Sequence, residues 1–126
     1  MKIILADDHA LFRDGFALLF KQLEAGAVVL EAGDLGAALA LATHHPDADL
    51  MLLDLDMPGM NGSTGIMRVA EAHPQLPVVV LSASESRENV QAVIAAGALG
   101  FIPKSSSSAV MQSAWCFREA FICRRN

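Results

Sequence analysis

The chain has 126 residues, 53% of them hydrophobic, a mean hydropathy of +0.40 and a formal net charge of −5. This is the length of one domain with enough apolar residues for a sizeable core, and residues 1–126 are read as a single domain. Nine scattered Lys and Arg against fourteen Asp and Glu exclude the clustered basic stripe that direct nucleic-acid contact needs, and no apolar stretch approaches a membrane span.

In chain order, residues 2–6 (KIILA), 27–32 (AVVLEA), 50–55 (LMLLDL), 77–82 (PVVVLS) and 99–102 (LGFI) are short apolar runs, mostly without period-2 alternation. That pattern predicts strands buried on both faces of a parallel sheet. Helical spacing fills the intervals. Residues 9–24 carry the stripe Leu11, Phe12, Phe16, Leu19, Phe20 and Leu23; residues 34–44 carry Leu35, Ala38, Leu39 and Ala42; residues 86–96 carry Val90, Val93 and Ile94. Asp34 and Ser86 are the expected N-caps of the second and fourth helices. His44-His45-Pro46 and His73-Pro74 should end the second and third. Those histidines are read as solvated residues at helix C-termini, where the dipole suits them, rather than as metal ligands.

Five strands alternating with helices predict an α/β domain, a (βα)₅ doubly wound parallel sheet with right-handed crossovers. In such a sheet the functional site lies beyond the carboxyl ends of the strands. Standing there are Asp7 and Asp8 after strand one, Asp54 at strand three, Ser82 after strand four and Lys104 after strand five. Strand two, ending Glu31-Ala32, contributes nothing obvious. In strand order 2-1-3-4-5, three carboxylates, a hydroxyl and an ammonium converge on one crevice. Three such anions repel and would hold raised pKa values unless a cation neutralises them. Mg²⁺, or Mn²⁺ in its place, suits an all-oxygen site, while a lysine and a hydroxyl serve the remaining oxygens of a phosphoryl group. The chemistry this predicts is phosphorylation of an aspartate.

The motifs LADDH (5–9), LLDLDMPGMNG (52–62), VVVLSA (78–83) and GALGFIPKS (97–105) resemble those of response regulator receiver domains in two-component signalling. The opening DDHALFRDGF is most similar to the NarL/LuxR-type branch, whose members carry a C-terminal helix-turn-helix domain. The resemblance implies a flavodoxin-like fold and Asp54 as phosphoacceptor. It implies Mg²⁺ held by Asp7, Asp8, Asp54 and the main-chain carbonyl of Asp56. It further implies Ser82 and Lys104 on the phosphoryl oxygens and Phe101 as a switch residue paired with Ser82. The partners it implies are a sensor histidine kinase or a phosphotransfer protein as donor. Output would pass through the face of helix 4, strand 5 and helix 5, which could also support a homodimer. The protein would be a signalling domain and not a turnover enzyme, with transcription as the end point of the branch. Two departures from the family pattern stand out. Proline precedes Lys104 (Pro103) rather than following it, so no cis bond is claimed after the lysine, and the switch position holds Phe rather than Tyr.

Two other readings compete. Asp54-Leu55-Asp56 also fits the Asp-x-Asp of haloacid-dehalogenase-like phosphatases, against which stand its place after the third strand, Pro58, and the short chain. A pseudo-receiver scaffold, folded but never phosphorylated, is the third reading.

The last segment, 105–126, is expected to be a helix with one stripe of Val110, Ala114, Phe117 and Phe121 and a second of Met111, Trp115 and Ile122. The second stripe is either deeply packed or a dimer or effector surface. Cys116 and Cys123 lie about 10 Å apart along such a helix, too far to bridge, and are expected to be free thiols of a reducing compartment. With no cleavable leader in MKIILAD, a cytoplasmic location is expected. The chain stops at Arg124-Arg125-Asn126, so either a DNA-binding domain follows in a longer protein or this is a single-domain regulator.

Overall fold

The structure, a computed structural model, describes residues 1–83 and 87–104. In order they form β1 (Lys2–Ala6), α1 (Ala10–Leu23), β2 (Val28–Ala32), α2 (Leu35–His44), β3 (Leu50–Asp54), α3 (Ser63–Ala72), β4 (Val78–Ser82), α4 (Arg87–Ala95) and β5 (Gly100–Pro103). The strands make one parallel sheet, as the alternation predicts, in the order β2-β1-β3-β4-β5 expected for a doubly wound sheet of this family.

Side-chain alternation explains why the apolar runs are continuous. Ile3, Leu5, Leu50, Leu52, Val79 and Leu81 point to one face and pack with Phe16 and Phe20 of α1. Ile4, Met51, Leu53, Val78 and Val80 point to the other, where Leu35, Ala38, Ile66, Val69 and Val93 of α2, α3 and α4 cover them. Each central strand serves two cores, so a one-residue slip in register would exchange every partner. β2 departs from the expected burial on both faces, leaving Val28 and Glu31 exposed, because it is an edge strand.

Asp34 caps α2, its Oδ1 accepting the Ala37 N–H at 2.7 Å. His45 and His73 are the C-caps of α2 and α3, their amides returning to Leu41 and Val69 carbonyls. His44 is exposed, whereas His45 and His73 are half-buried and lie against Lys2 Nζ (3.3 Å) and Thr43 Oγ1 (3.4 Å), so only the first is fully solvated. Two apolar expectations need correction. Leu11 is 89% exposed. It lies nine residues before Phe20, which at about 3.6 residues per turn puts it on the opposite side of the helix. Ile94 is 46% exposed, and its neighbour Val93 takes the core position instead. Ser86, the expected cap of α4, lies outside the described residues. So does the whole terminal segment, with its apolar stripes, Trp115, Cys116 and Cys123.

Candidate phosphoacceptor site

The sheet delivers its polar residues to one end because each strand stops where its apolar run stops. One residue past β1, the Asp7 amide still donates to the Ala32 carbonyl of β2 (2.9 Å); past β5, the Lys104 amide donates to the Ser82 carbonyl of β4 (2.8 Å). Asp7, Asp54 and Ser82 are buried polar residues, and Asp54 is only 1% exposed.

Lys104 Nζ lies 2.7 Å from Asp7 Oδ2 and 3.6 Å from Asp54 Oδ2, and 4.6 Å from the centre of the Phe12 ring. Ligand atoms of Asp7, Asp8, His9 and Asp54 all lie within 4.8 Å of one another. The two oxygens of Asp54 differ. Oδ1 accepts the Asp56 N–H at 3.1 Å, whereas Oδ2 is buried without a hydrogen-bond partner. Burial, reinforced by the Asp7 charge and a hydrogen bond with Asp8, pushes the Asp54 carboxyl up from 3.8 to about 6 against the pull of the Asp56 amide and the Lys104 ammonium. A buried orphan oxygen, two further carboxylates beside it and a raised pKa are what a hard cation would relieve, so the residues fit a divalent metal ion.

Ser82 and Phe101 stand on the other face. Phe101 pairs in register with Val80 of β4 and packs, half-buried, against the core that α2, α3 and α4 cover, and the alternation Val78, Val80, Ser82 carries the serine to the same side. The Asp56 side chain is exposed, and only its main chain reaches Asp54. The structure thus brings Asp7, Asp8, Asp54 and Lys104 into contact, with Ser82 at the adjoining strand end.

Three residues not assigned a site role from sequence also belong here. His9 Nδ1 is 3.1 Å from both Asp7 Oδ1 and Lys104 Nζ. Arg13 of α1 donates from Nη1 to the Asp7 carbonyl at 2.6 Å and approaches Glu31 of β2 at 3.4 Å. Strand two therefore does contribute. Through the Ala32 carbonyl and Glu31 it braces the loop that carries the acids. The clue available in the sequence was the i, i+4 spacing of His9 and Arg13, which puts both on one side of the first turn.

The sequence pattern of the response regulator receiver domain matches residues 3–115. The chain belongs to this family. Among relatives of receiver-containing proteins, the Glycerol metabolism activator of Pseudomonas putida is 43% identical over 113 residues, covering 90% of this chain and 51% of that protein. The Nitrate/nitrite response regulator protein NarP of Escherichia coli (strain K12) is 34% identical over 113 residues, covering 90% of this chain and 52% of its own length. The chain thus spans about half the length of the curated relatives it matches. Among solved receiver structures, the signal receiver domain of NarL from Mycobacterium tuberculosis has a TM-score of 0.74 and 34% identity, with 90% of this chain and 95% of that chain covered. The isolated REC domain of RcsB from Salmonella enterica serovar Typhimurium, in the presence of phosphomimetic BeF3-, has a TM-score of 0.78 and 27% identity, with 94% and 88% covered. The receiver is thus of the NarL/LuxR type, which sets aside the haloacid-dehalogenase-like alternative. No helix among the described residues is long and apolar enough to cross a membrane.

Proposed function

We propose that this receiver domain accepts a phosphoryl group on Asp54 and passes the change to an output that, by its NarP-like relatives, is transcription. The observation that carries the reading is the buried Oδ2 of Asp54, which has no hydrogen-bond partner, is flanked by Asp7 and Asp8 and lies 3.6 Å from the Lys104 ammonium.

A carboxylate oxygen of Asp54 attacks phosphorus in line. The new O–P bond forms as the donor's P–N or P–O bond breaks, and its electron pair leaves with the imidazole of a phosphohistidine or with the carboxylate of an acyl phosphate. Asp54 must be ionised to do this, which its raised pKa opposes below about pH 6. Asp7, Asp8, Asp54 and the Asp56 carbonyl would hold Mg²⁺ or Mn²⁺, which supplies charge neutralisation for the phosphoryl oxygens. Lys104 meets those oxygens as a point charge, while the Asp56 amide donates to the other Asp54 oxygen, Oδ1. The Ser82 hydroxyl then moves to the phosphoryl group, and Phe101, on the same face of the sheet, repacks. The surface of α4 and β5 changes as a two-state element biased by a local charge.

The donor is a sensor histidine kinase or a phosphotransfer protein, and the altered surface serves an effector or a second copy of the chain. Phosphorylation is stoichiometric signalling rather than turnover. The deciding experiment is intact mass after incubation with acetyl phosphate and Mg²⁺. The wild type should gain one phosphoryl group and Asp54→Asn none; equal gain by both would overturn the assignment, and no gain by either would leave the scaffold reading.

A further inference from the structure

His9 precedes α1 as its N-cap yet makes no side-chain capping hydrogen bond, so its ring is turned to the acids and not to the helix. Its Nδ1 lies 3.1 Å from Asp7 Oδ1, 3.3 Å from Asp8 Oδ1 and 4.0 Å from Asp54 Oδ2. Donors bound at about 2.1 Å to an octahedral ion are separated by about 3.0 Å when adjacent and about 4.2 Å when opposite. The nitrogen therefore stands at adjacent spacing from two acids and near opposite spacing from the third.

The Asp54 oxygen facing it is buried and lacks a hydrogen-bond partner. A cation is already drawn to the same atoms, since Lys104 Nζ lies 2.7 Å from Asp7 Oδ2, 3.1 Å from His9 Nδ1 and 3.6 Å from Asp54 Oδ2. One ring nitrogen cannot donate to Asp7 and accept from Lys104 at once. Around a divalent ion that conflict disappears, because imidazole and carboxylates all act as lone-pair donors.

We propose that His9 Nδ1 is a fourth side-chain ligand of the metal site, and its one nitrogen, and that it sets the site's selectivity, favouring first-row transition ions such as Ni²⁺ and Co²⁺ over Mg²⁺. Imidazole suits the former, whereas Mg²⁺ prefers oxygen and retained water. The His9 side chain is 67% exposed, so replacing it leaves the core intact. The inference rests on the reading that Asp7, Asp8 and Asp54 hold a divalent ion.

Calorimetric titration of the whole chain with Ni²⁺ and with Mg²⁺, for wild type and His9→Gln, tests it. His9→Gln should weaken Ni²⁺ about tenfold or more and leave Mg²⁺ nearly unchanged. Equal weakening of both ions, or no weakening of either, would overturn the role of His9 while leaving the acidic site standing. Failure of wild type to bind either ion would overturn the acidic site itself, and His9's role with it.

Discussion

At the Asp54 carboxylate, folding works against ionisation, and the sign of the effect can be measured. Its folded pKa is about 6 and its ordinary value 3.8, so between those pH values the folded state holds a proton that the unfolded chain has released. Metal-free stability should therefore fall as pH rises through that window, and above about pH 6 the full cost is present, at most about 3 kcal/mol for two pH units. Asp54→Asn removes this cost. Thermal unfolding without metal should show the variant more stable than wild type at pH 7 to 8, with the gap closing near pH 4; a gap independent of pH would show that Asp54 is not the group responsible. Asp7, Asp8, Asp54, Ser82 and Lys104 were legible in the sequence because a charged or hydroxyl residue at the end of an apolar strand is costly unless used. His9 and Arg13 were not. Both belong to the start of an amphipathic helix, where polar residues are ordinary, and only the closure of α1 onto β1, β2 and the Lys104 loop brings them to the acids.

At the level of elements, the loop from β3 to α3 shows how tightly the site end is packed. Gly65 lies inside α3, where Ala is normally better than Gly by about 0.5–1 kcal/mol. A Cβ there would stand 2.7 Å from both the carbonyl oxygen and the Sδ of Met60, one of them rigid main chain. The clash should outweigh the propensity, so Gly65→Ala should cost about 1–3 kcal/mol. Gly15→Ala in α1, where nothing lies within 4 Å of the added carbon, should instead stabilise by about 0.5–1 kcal/mol. Urea unfolding of the two variants checks both signs, and destabilisation by Gly15→Ala or its absence in Gly65→Ala would contradict the packing. Element order and type were readable from period and from the His-Pro and Asp34 boundaries. Which side of a helix faced inward was less so, because Leu11 and Ile94 are as apolar as their buried neighbours and only the position of the sheet separates them.

Across the whole molecule, the parallel order β2-β1-β3-β4-β5 collects at one edge residues as far apart as Asp7 and Lys104, 97 positions along the chain. This part of the arrangement followed from the βα alternation once the strand order was taken from the family resemblance, since a run of strands and helices alone leaves more than one order open. The main-chain bond from the Lys104 amide to the Ser82 carbonyl has a consequence for how the two residues evolve and respond to substitution. The ammonium and the hydroxyl are mounted on a shared backbone clasp, so neither strand end can shift without carrying the other. Their contributions to phosphoryl transfer should then be epistatic. In a double-mutant cycle of Ser82→Ala and Lys104→Met, read as rates of acetyl phosphate labelling, the interaction energy should be about 0.5–3 kcal/mol. Additive losses would mean that the clasp yields, and that the two ends keep their own counsel.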